Sequence, residues 1–394
     1  MIITIVEYLV LGLAFLVLIP ICVFAIQLFA GISSFAQRPI KTEIRQNIAV
    51  LVPAHNEESV IESTLHSIIP QLQGNDRIIV IADNCSDQTA TLARNCGAEV
   101  IERNDSSKKG KGYALDYGLR YLRDTPPAQV VIVDADCQIS EDTITRLVLT
   151  CTETGRPVQA TYLMLAGSGA GLKTRIAAFA HTIKTMVRPR GLYRLGLPCS
   201  LFGTGNTFPW AIISKLELAN GEIVEDLKMG IDLVYDGSPP IFCPDAQVIS
   251  YFPTNSVGMQ TQRTRWEHGH LSLIVSECPR LFVKALKSLD IYAFAMALDL
   301  CIPPLTLLIL ISTAVLILSF TAYLFFGWLM PLVVSVFGVA LMTFAVLGSW
   351  VIQGRNILSF TDLVSVPVYI FWKIPIYLKF LVAKQVEWVR SSRE

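Results

Sequence analysis

Four clusters of chemically capable side chains follow one another along the chain: Asp83, then Asp134-Ala135-Asp136, then Glu225-Asp226, then Gln262-Arg263-Thr264-Arg265-Trp266. Carboxylates are hard oxygen ligands suited to Mg²⁺ or Mn²⁺, ions that keep coordination sites for waters and substrate phosphates. Asp134 and Asp136 flank one small residue at the end of an apolar run. Alternate side chains of an extended segment share a face, so both carboxylates can reach one ion. Asp-x-Asp alone is common and equally describes a solvated acidic turn. Glu225 or Asp226 could take the proton from an attacking hydroxyl, although an exposed helix start also explains the pair. Gln262, Arg265 and Trp266 fall within about a turn and a half of helix. Arg can bind a diphosphate and Trp can stack on a sugar ring, with structural packing the plainer account of the Trp.

These side chains must be held by something. Ile48 to Pro53 is a short apolar run ending at a breaker, and it reads as a buried strand. Asn56 then stands as N-cap of a helical pattern, with Glu57 and Glu58 in its first turn. A second strand, Arg77 to Ala82, ends at Asp83. There the carboxylate could accept from a base or a ribose hydroxyl, or belong to a capping loop with Ser86 or Asp87. A helix from Thr89 to Cys96, a strand near Glu99 to Glu102, a helix from Lys111 to Arg123 and a strand from Val130 to Val133 follow. The alternation predicts an α/β fold with a parallel sheet and right-handed crossovers. Pro53, Asp83 and Asp134 all stand at strand carboxyl ends, where such sheets bind ligands. Lys108, Lys109 and Lys111 lead into a helix start, and both lysine and a helix N-terminus attract phosphate. No G-x-G-x-x-G follows the first strand, which argues against a dinucleotide-dependent dehydrogenase.

The 394 residues carry 52% hydrophobic and 16% charged side chains, and the net charge is zero, so no bulk charge points to nucleic acid. The apolar excess lies at the two ends. Tyr8 to Ala30 would form a helix roughly 34 Å long, enough to cross a bilayer core of about 30 Å, and Pro20 is tolerated in such helices. The run lacks a positive leader, so it reads as an anchor and not as a cleaved signal. Arg38, Lys41 and Arg45 place its far end in the cytoplasm. Two further spans, Pro303 to Phe326 and Leu329 to Ile352, share a short uncharged link, and Arg355 marks the return to the cytoplasm. In the tail, Phe371, Trp372, Ile376, Tyr377, Phe380 and Trp388 mix with Lys373, Lys379, Lys384 and Arg390. Lysines in mid-segment argue for an interfacial helix over a fourth span. Leu172 to Leu197 and His270 to Leu300 read as amphipathic helices, at the membrane or on the soluble domain. The expected division is an anchor (1–36), a cytosolic domain (47–280), a linking helix (281–302), two spans (303–352) and an interfacial tail (357–394). The nine cysteines show no metal-ligand spacing and suit a reduced compartment, with a Cys85–Cys96 bridge as the alternative.

Several runs then combine: Pro53-Ala54-His55-Asn56-Glu57, Asp83-Asn84-Cys85-Ser86-Asp87-Gln88-Thr89, Lys111-Gly112-Tyr113-Ala114-Leu115, Asp134-Ala135-Asp136, Glu225-Asp226 and Q-x-x-R-W. Over about Asn47 to His270 the chain resembles the family-2 glycosyltransferases of GT-A (Rossmann-like) fold. Its Q-x-x-R-W resembles the membrane-bound branch, with its cellulose, hyaluronan and poly-N-acetylglucosamine synthases and ceramide glucosyltransferases. The resemblance implies that Pro53, Glu57 and Asp83 hold a uridine, with GDP the alternative to UDP. It puts Lys111 near the diphosphate and Asp134 on the nucleotide. Asp136, with Asp134, would hold Mg²⁺ or Mn²⁺. Asp226, beside Glu225, would be the general base. Gln262, Arg265 and Trp266 would close over diphosphate and sugar. Leu201-Phe202-Gly203-Thr204-Gly205 stands at the acceptor loop, placing Gly203, Thr204 and Gly205 near the acceptor. The polymer synthases carry a Phe-Phe-Cys-Gly-Ser type sequence there, and the departure sets their acceptor apart from this one.

The implied reaction is a metal-dependent, inverting transfer of a hexose from a nucleotide diphosphate sugar, in one in-line displacement. Three spans are few to enclose a growing chain, so the expected acceptor is a membrane lipid or lipid-linked saccharide, in exopolysaccharide or glycolipid synthesis at the inner membrane. A processive β-polysaccharide synthase is the first alternative. A non-catalytic nucleotide-sugar-binding scaffold is the second.

Overall fold

The computed structural model describes residues 2–33, 45–219, 224–253 and 256–382. Arg38, Lys41, Ile223, Lys384, Trp388 and Arg390 lie outside them. The chain divides into two compact units. One comprises Ser34–Ser168 and Gly196–Trp266, with Val386–Glu394. The other comprises Met1–Ser33, Gly169–Leu195 and Glu267–Gln385.

The first unit is built on an eight-stranded sheet. Its strands are β1 (Ile48–Ala54), β2 (Arg77–Asp83), β3 (Glu99–Arg103), β4 (Gln129–Ile132), β5 (Gln138–Ile139), β6 (Val158–Leu165), β7 (Asn206–Pro209) and β8 (Ile241–Tyr251). They are ordered β3-β2-β1-β4-β7-β6-β8-β5. The first four are parallel, as expected. The sheet as a whole is mixed, because β7 runs antiparallel to both β4 and β6, and β5 runs antiparallel to β8. Both faces are covered, which is why the parallel strands read as unbroken apolar runs. Val50, Val52, Val80 and Val131 meet Ile61, Leu65, Ile68, Leu147 and Val148 on one face. Leu51, Ile79, Ile81 and Ile132 meet Leu115, Leu119, Leu122 and Leu233 on the other. The α/β Rossmann-like architecture of the GT-A type is therefore observed.

One local expectation fails. Asn56 is not a helix N-cap: the helix begins at Ile61. Asn56 instead takes a left-handed φ of 55°, and its Oδ1 accepts from the Ser86 N–H at 2.7 Å. Asn tolerates that region because its short amide can bond locally.

The second unit is helical. Three of its helices are long and apolar enough to cross a membrane: Ile3–Gly31, Leu305–Phe326 and Leu329–Gly354. Gly327, at φ 73°, closes the second and permits the tight link to the third. Ser319 and Ser335 share a buried hydroxyl contact at 2.9 Å. Arg188, one of the basic residues of the expected amphipathic stretch, is buried. It donates to Gln27 Oε1 and Asp299 Oδ1, each at 2.7 Å. Two expectations are corrected here. Cys278 and Cys301 form a disulfide across 23 residues, while Cys85 and Cys96 are free, so the cysteines are not all reduced. Lys373 of the helix Val366–Val382 is buried in an ion pair with Glu267 and does not reach out to water. Its charge therefore carries no argument against spanning.

Candidate active site

The carboxyl ends of β1, β2 and β4 open on one cleft within the first unit. At the end of β1, the His55 Nδ1–H donates to the Asp83 carbonyl at 2.7 Å. The Glu57 N–H donates to Thr89 Oγ1 at 2.8 Å. With the Asn56–Ser86 bond, these contacts clamp the loops after β1 and β2 together, so that Pro53, Glu57 and Asp83 face the cleft as a group.

Asp83 is buried and pairs at 2.5 Å with Arg103, which ends β3. Burial raises the Asp83 carboxyl above its usual range, and the Arg103 guanidinium pulls partway back. The same guanidinium donates to the Lys108 carbonyl at 2.9 Å and pairs with Asp105 at 3.3 Å. Arg103 therefore ties the carboxylate to the lysine loop that leads into the helix Lys111–Leu122.

Asp134 follows β4, and its N–H donates to Thr204 Oγ1 at 3.1 Å. Its carboxylate pairs with Lys111. Burial and the neighbouring Asp136 raise the Asp134 carboxyl, against the pull of Lys111. Burial pulls the Lys111 ammonium down, but the carboxylates of Asp134, Glu225 and Asp226 outweigh it and hold the ammonium above its ordinary value. Ligand atoms of Asp134, Asp136 and Cys137 lie within 4.8 Å of one another. Burial pushes the Cys137 thiol well up. It stays protonated and lies 3.5 Å from Asp136 Oδ1. The two carboxylates therefore form a hard, oxygen-only donor set, which fits Mg²⁺ or Mn²⁺ and not a soft metal.

Glu225 and Asp226 occupy the first turn of the helix Glu225–Tyr235 and are half-buried in the cleft wall, not on an exposed helix start. Gly203, at φ 82°, sits where the charged groups converge. A Cβ there would lie 3.4 Å from Asp226 Oδ2, 3.5 Å from Lys111 Nζ and 3.9 Å from Asp134 Oδ2. Gln262, Arg265 and Trp266, on the helix Ser256–Ser288, line the same cleft. Burial lowers the Arg265 guanidinium, while Glu225, Asp226 and Asp134 oppose that shift.

The profile of the family described as "Glycosyltransferase like family 2" matches residues 45–269. The chain belongs to that family. It is similar to the probable glycosyltransferase YdaM of Bacillus subtilis, at 26% identity over 255 residues, 60% of this chain and 58% of the relative. It is also similar to the 4,4'-diaponeurosporenoate glycosyltransferase of Staphylococcus aureus, at 36% over 92 residues, 23% of this chain and 24% of the relative. The matches span less than two thirds of either relative's length. In fold it is similar to the mannosyltransferase PcManGT of Pyrobaculum calidifontis, solved in complex with GDP-Man and Mn²⁺. That likeness has a TM-score of 0.54 at 18% identity and covers 89% of this chain and 99% of that one.

Two of the expected acceptor residues of this family-2 chain do not line the cleft. Thr204 and Gly205 lie beneath its floor. Thr204 is fully buried under Asp134. Gly205 donates to the Ile132 carbonyl at 2.9 Å, and a Cβ there would meet Val248 at 2.6 Å. Tyr162 and Met164 of β6, with Tyr251 and Pro253 at the end of β8, do line it and were not anticipated. The only trace they leave in the sequence is the i, i+2 spacing that puts each pair on one face of an extended chain.

Proposed function

We propose that the chain is a metal-dependent, inverting hexosyltransferase that uses a nucleotide diphosphate sugar and glycosylates a membrane lipid or lipid-linked saccharide. One observation carries the reading: Asp226, Lys111 and Asp134 converge around Gly203, with Asp136 and Arg265 lining the same cleft. Glu57 and Asp83 take the nucleoside. UDP is the nucleotide expected, and a GDP-linked donor is the other outcome of the test below. Lys111 and Arg265 offset the charge of the diphosphate, and Gln262 and Trp266 close over the sugar. Asp134 and Asp136 would hold a divalent cation, which when bound stabilises charge on the departing diphosphate. Asp226 takes the proton of the acceptor hydroxyl as its oxygen attacks the anomeric carbon opposite the diphosphate. The C–O bond to the diphosphate breaks as the new one forms, so an α-linked donor yields a β-linked product.

The membrane assignment rests on the three apolar helices. Basic residues after the first support a catalytic unit on the cytoplasmic side of the inner membrane. Exposed Phe360, Val364, Val368, Phe371 and Leu378 support an interfacial tail. The three candidate spans among the described residues favour single addition over secretion of a polymer.

The test is a donor screen on purified, detergent-solubilised protein with Mn²⁺ or Mg²⁺ and a total membrane lipid extract, with products resolved by mass spectrometry. One hexose added to a lipid, lost when the cation is chelated, is the expected result. A ladder of lengths would identify a processive synthase. Tight nucleotide binding with no turnover of any donor would identify a non-catalytic scaffold.

A further inference from the structure

We infer that Gln159, which belongs to none of the motifs and does not line the cleft, is a positioning residue for the transfer. It holds the segment Leu201–Thr204 against the three elements that carry Lys111, Asp134 and Asp226. This rests on the roles just proposed for those three residues. Gln159 is fully buried in β6. A carboxamide offers both donors and an acceptor, and this one turns both ends on a single stretch of backbone. Its Oε1 accepts from the Phe202 N–H at 2.7 Å. Its Nε2 donates to the Thr204 carbonyl at 2.9 Å and to the Ala160 carbonyl at 2.8 Å. Those partners fix which end of the amide is oxygen. The side chain thus serves the two neighbours of Gly203 much as an adjacent strand would, at a point where Gly203, with a left-handed φ of 82°, takes the chain out of strand geometry.

The same segment touches each element that brings chemistry to the cleft. The Gly203 carbonyl accepts from the Lys111 ammonium at 2.7 Å. Thr204 Oγ1 accepts from the Asp134 N–H at 3.1 Å. Gly203 faces Asp226, since a Cβ there would lie 3.4 Å from Oδ2 of that carboxylate. A Cβ on Gly230, in the helix that begins at Glu225, would lie 3.4 Å from the Leu201 N, and Leu201 shares a core with Met229 and Leu233 of that helix. Ammonium, carboxylate ligand and base therefore stand on three different elements, and the segment that spaces them is neither strand nor helix. Such a segment keeps its geometry only as well as its backbone groups are partnered. A buried amide is costly unless it is hydrogen-bonded, and here every bond it makes to the loop fixes the neighbours of Gly203. Without it Gly203 is free to shift against Asp226, Lys111 and Asp134. Misplacing reacting groups by an ångström can cost on the order of a hundredfold in rate.

The experiment uses the full-length protein in detergent. It reads kcat and donor KM beside melting temperature, affinity for UDP and for GDP, and amide hydrogen exchange at Asp134. Gln159→Met keeps the volume and removes both ends of the amide. It should lower kcat about a hundredfold, with donor KM and nucleotide affinity changed less than about tenfold. It should also speed exchange at Asp134, whose N–H bonds to Thr204 and not to Gln159. Thr204→Val keeps the shape and removes the hydroxyl, and should speed the same exchange to a similar degree. Thr204→Ser should restore protection. The double variant Gln159→Met/Thr204→Val should add little to either single one, because the two side chains act in series. If Gln159→Met does not fold, Gln159→Glu, which keeps the shape and the Phe202 contact and loses the donor to Thr204, is read in its place. A lower melting temperature with kcat and Asp134 exchange unchanged would overturn the inference, since Gln159 would then support the fold alone. Full additivity in the double variant would overturn it too. Should the wild-type protein turn over no donor, the functional reading fails, while exchange at Asp134 still decides whether Gln159 positions it.

Discussion

Lys111 pairs with the Asp134 carboxylate and in the same position donates to the Gly203 carbonyl, 2.7 Å away. One ammonium thus fixes both the end of β4 and the glycine around which the cleft closes. In the proposed function it offsets the charge of the donor diphosphate. Lys111→Met should remove a charge-assisted contact worth about 2 kcal/mol and raise donor KM roughly thirtyfold. Steady-state kinetics with varied donor checks this. An unchanged KM would remove Lys111 from the diphosphate site.

Asp226→Asn keeps the shape of the side chain and loses its basicity. Transfer should be abolished while nucleotide and Mn²⁺ bind nearly as in the wild type. Calorimetric titration with the nucleoside diphosphate, beside product detection, separates the two effects. Ordinary turnover in this variant would rule out Asp226 as the base.

Glu225 introduces a pH dependence. Burial, reinforced by the adjacent Asp226 carboxylate, pushes its pKa up from about 4.5 to about 7. A carboxyl that holds its proton more tightly when folded stabilises the fold while protonated. That contribution is full below the unfolded value and is lost as pH rises through about 7. Glu225→Gln cannot ionise. Its melting temperature should rise relative to that of the wild type as pH increases between those limits. Parallel thermal melts of both proteins across the window test the sign, and a constant difference would contradict it.

Arg103 is the partner that makes a buried Asp83 tolerable, their side chains being 10% and 8% exposed. Arg103→Met removes the cation beside that carboxylate and leaves it the weaker Asn84 amide, which donates to it at 3.0 Å, at a cost of about 3 kcal/mol. It also frees the Lys108 carbonyl from its donor. A lower melting temperature together with a raised donor KM is expected. A fall in stability with KM unchanged would mean that Arg103 supports the fold alone.

Some features are open to sequence reading because a local rule dictates them. The apolar runs of β1, β2 and β4 are strands buried on both faces, so composition alone marks them. The three apolar helices are legible for a similar reason, since length and hydropathy suffice. Other features depend on distant partners. The strand β7 carries little apolar pattern and joins the sheet through register with β4 and β6. Asn56 has the composition of an N-cap, yet its amide serves Ser86, thirty residues away. Lys373 reads as a solvated charge until Glu267, 106 residues earlier, is brought beside it.

By itself the sequence determined the α/β class, the apolar helices and the carboxylates that stand at strand ends. Each follows from periodicity or from the residue at the end of a run, information contained within about ten neighbours. Only the tertiary structure decided that Asp226, Lys111 and Asp134 converge on Gly203, that Thr204 and Gly205 serve the floor and not the cleft, that Arg103 holds Asp83, and that Cys278 meets Cys301. These are relations between segments far apart in the chain. Packing of whole strands and helices sets their distances, and no local pattern records which side chains that packing brings within a few ångströms.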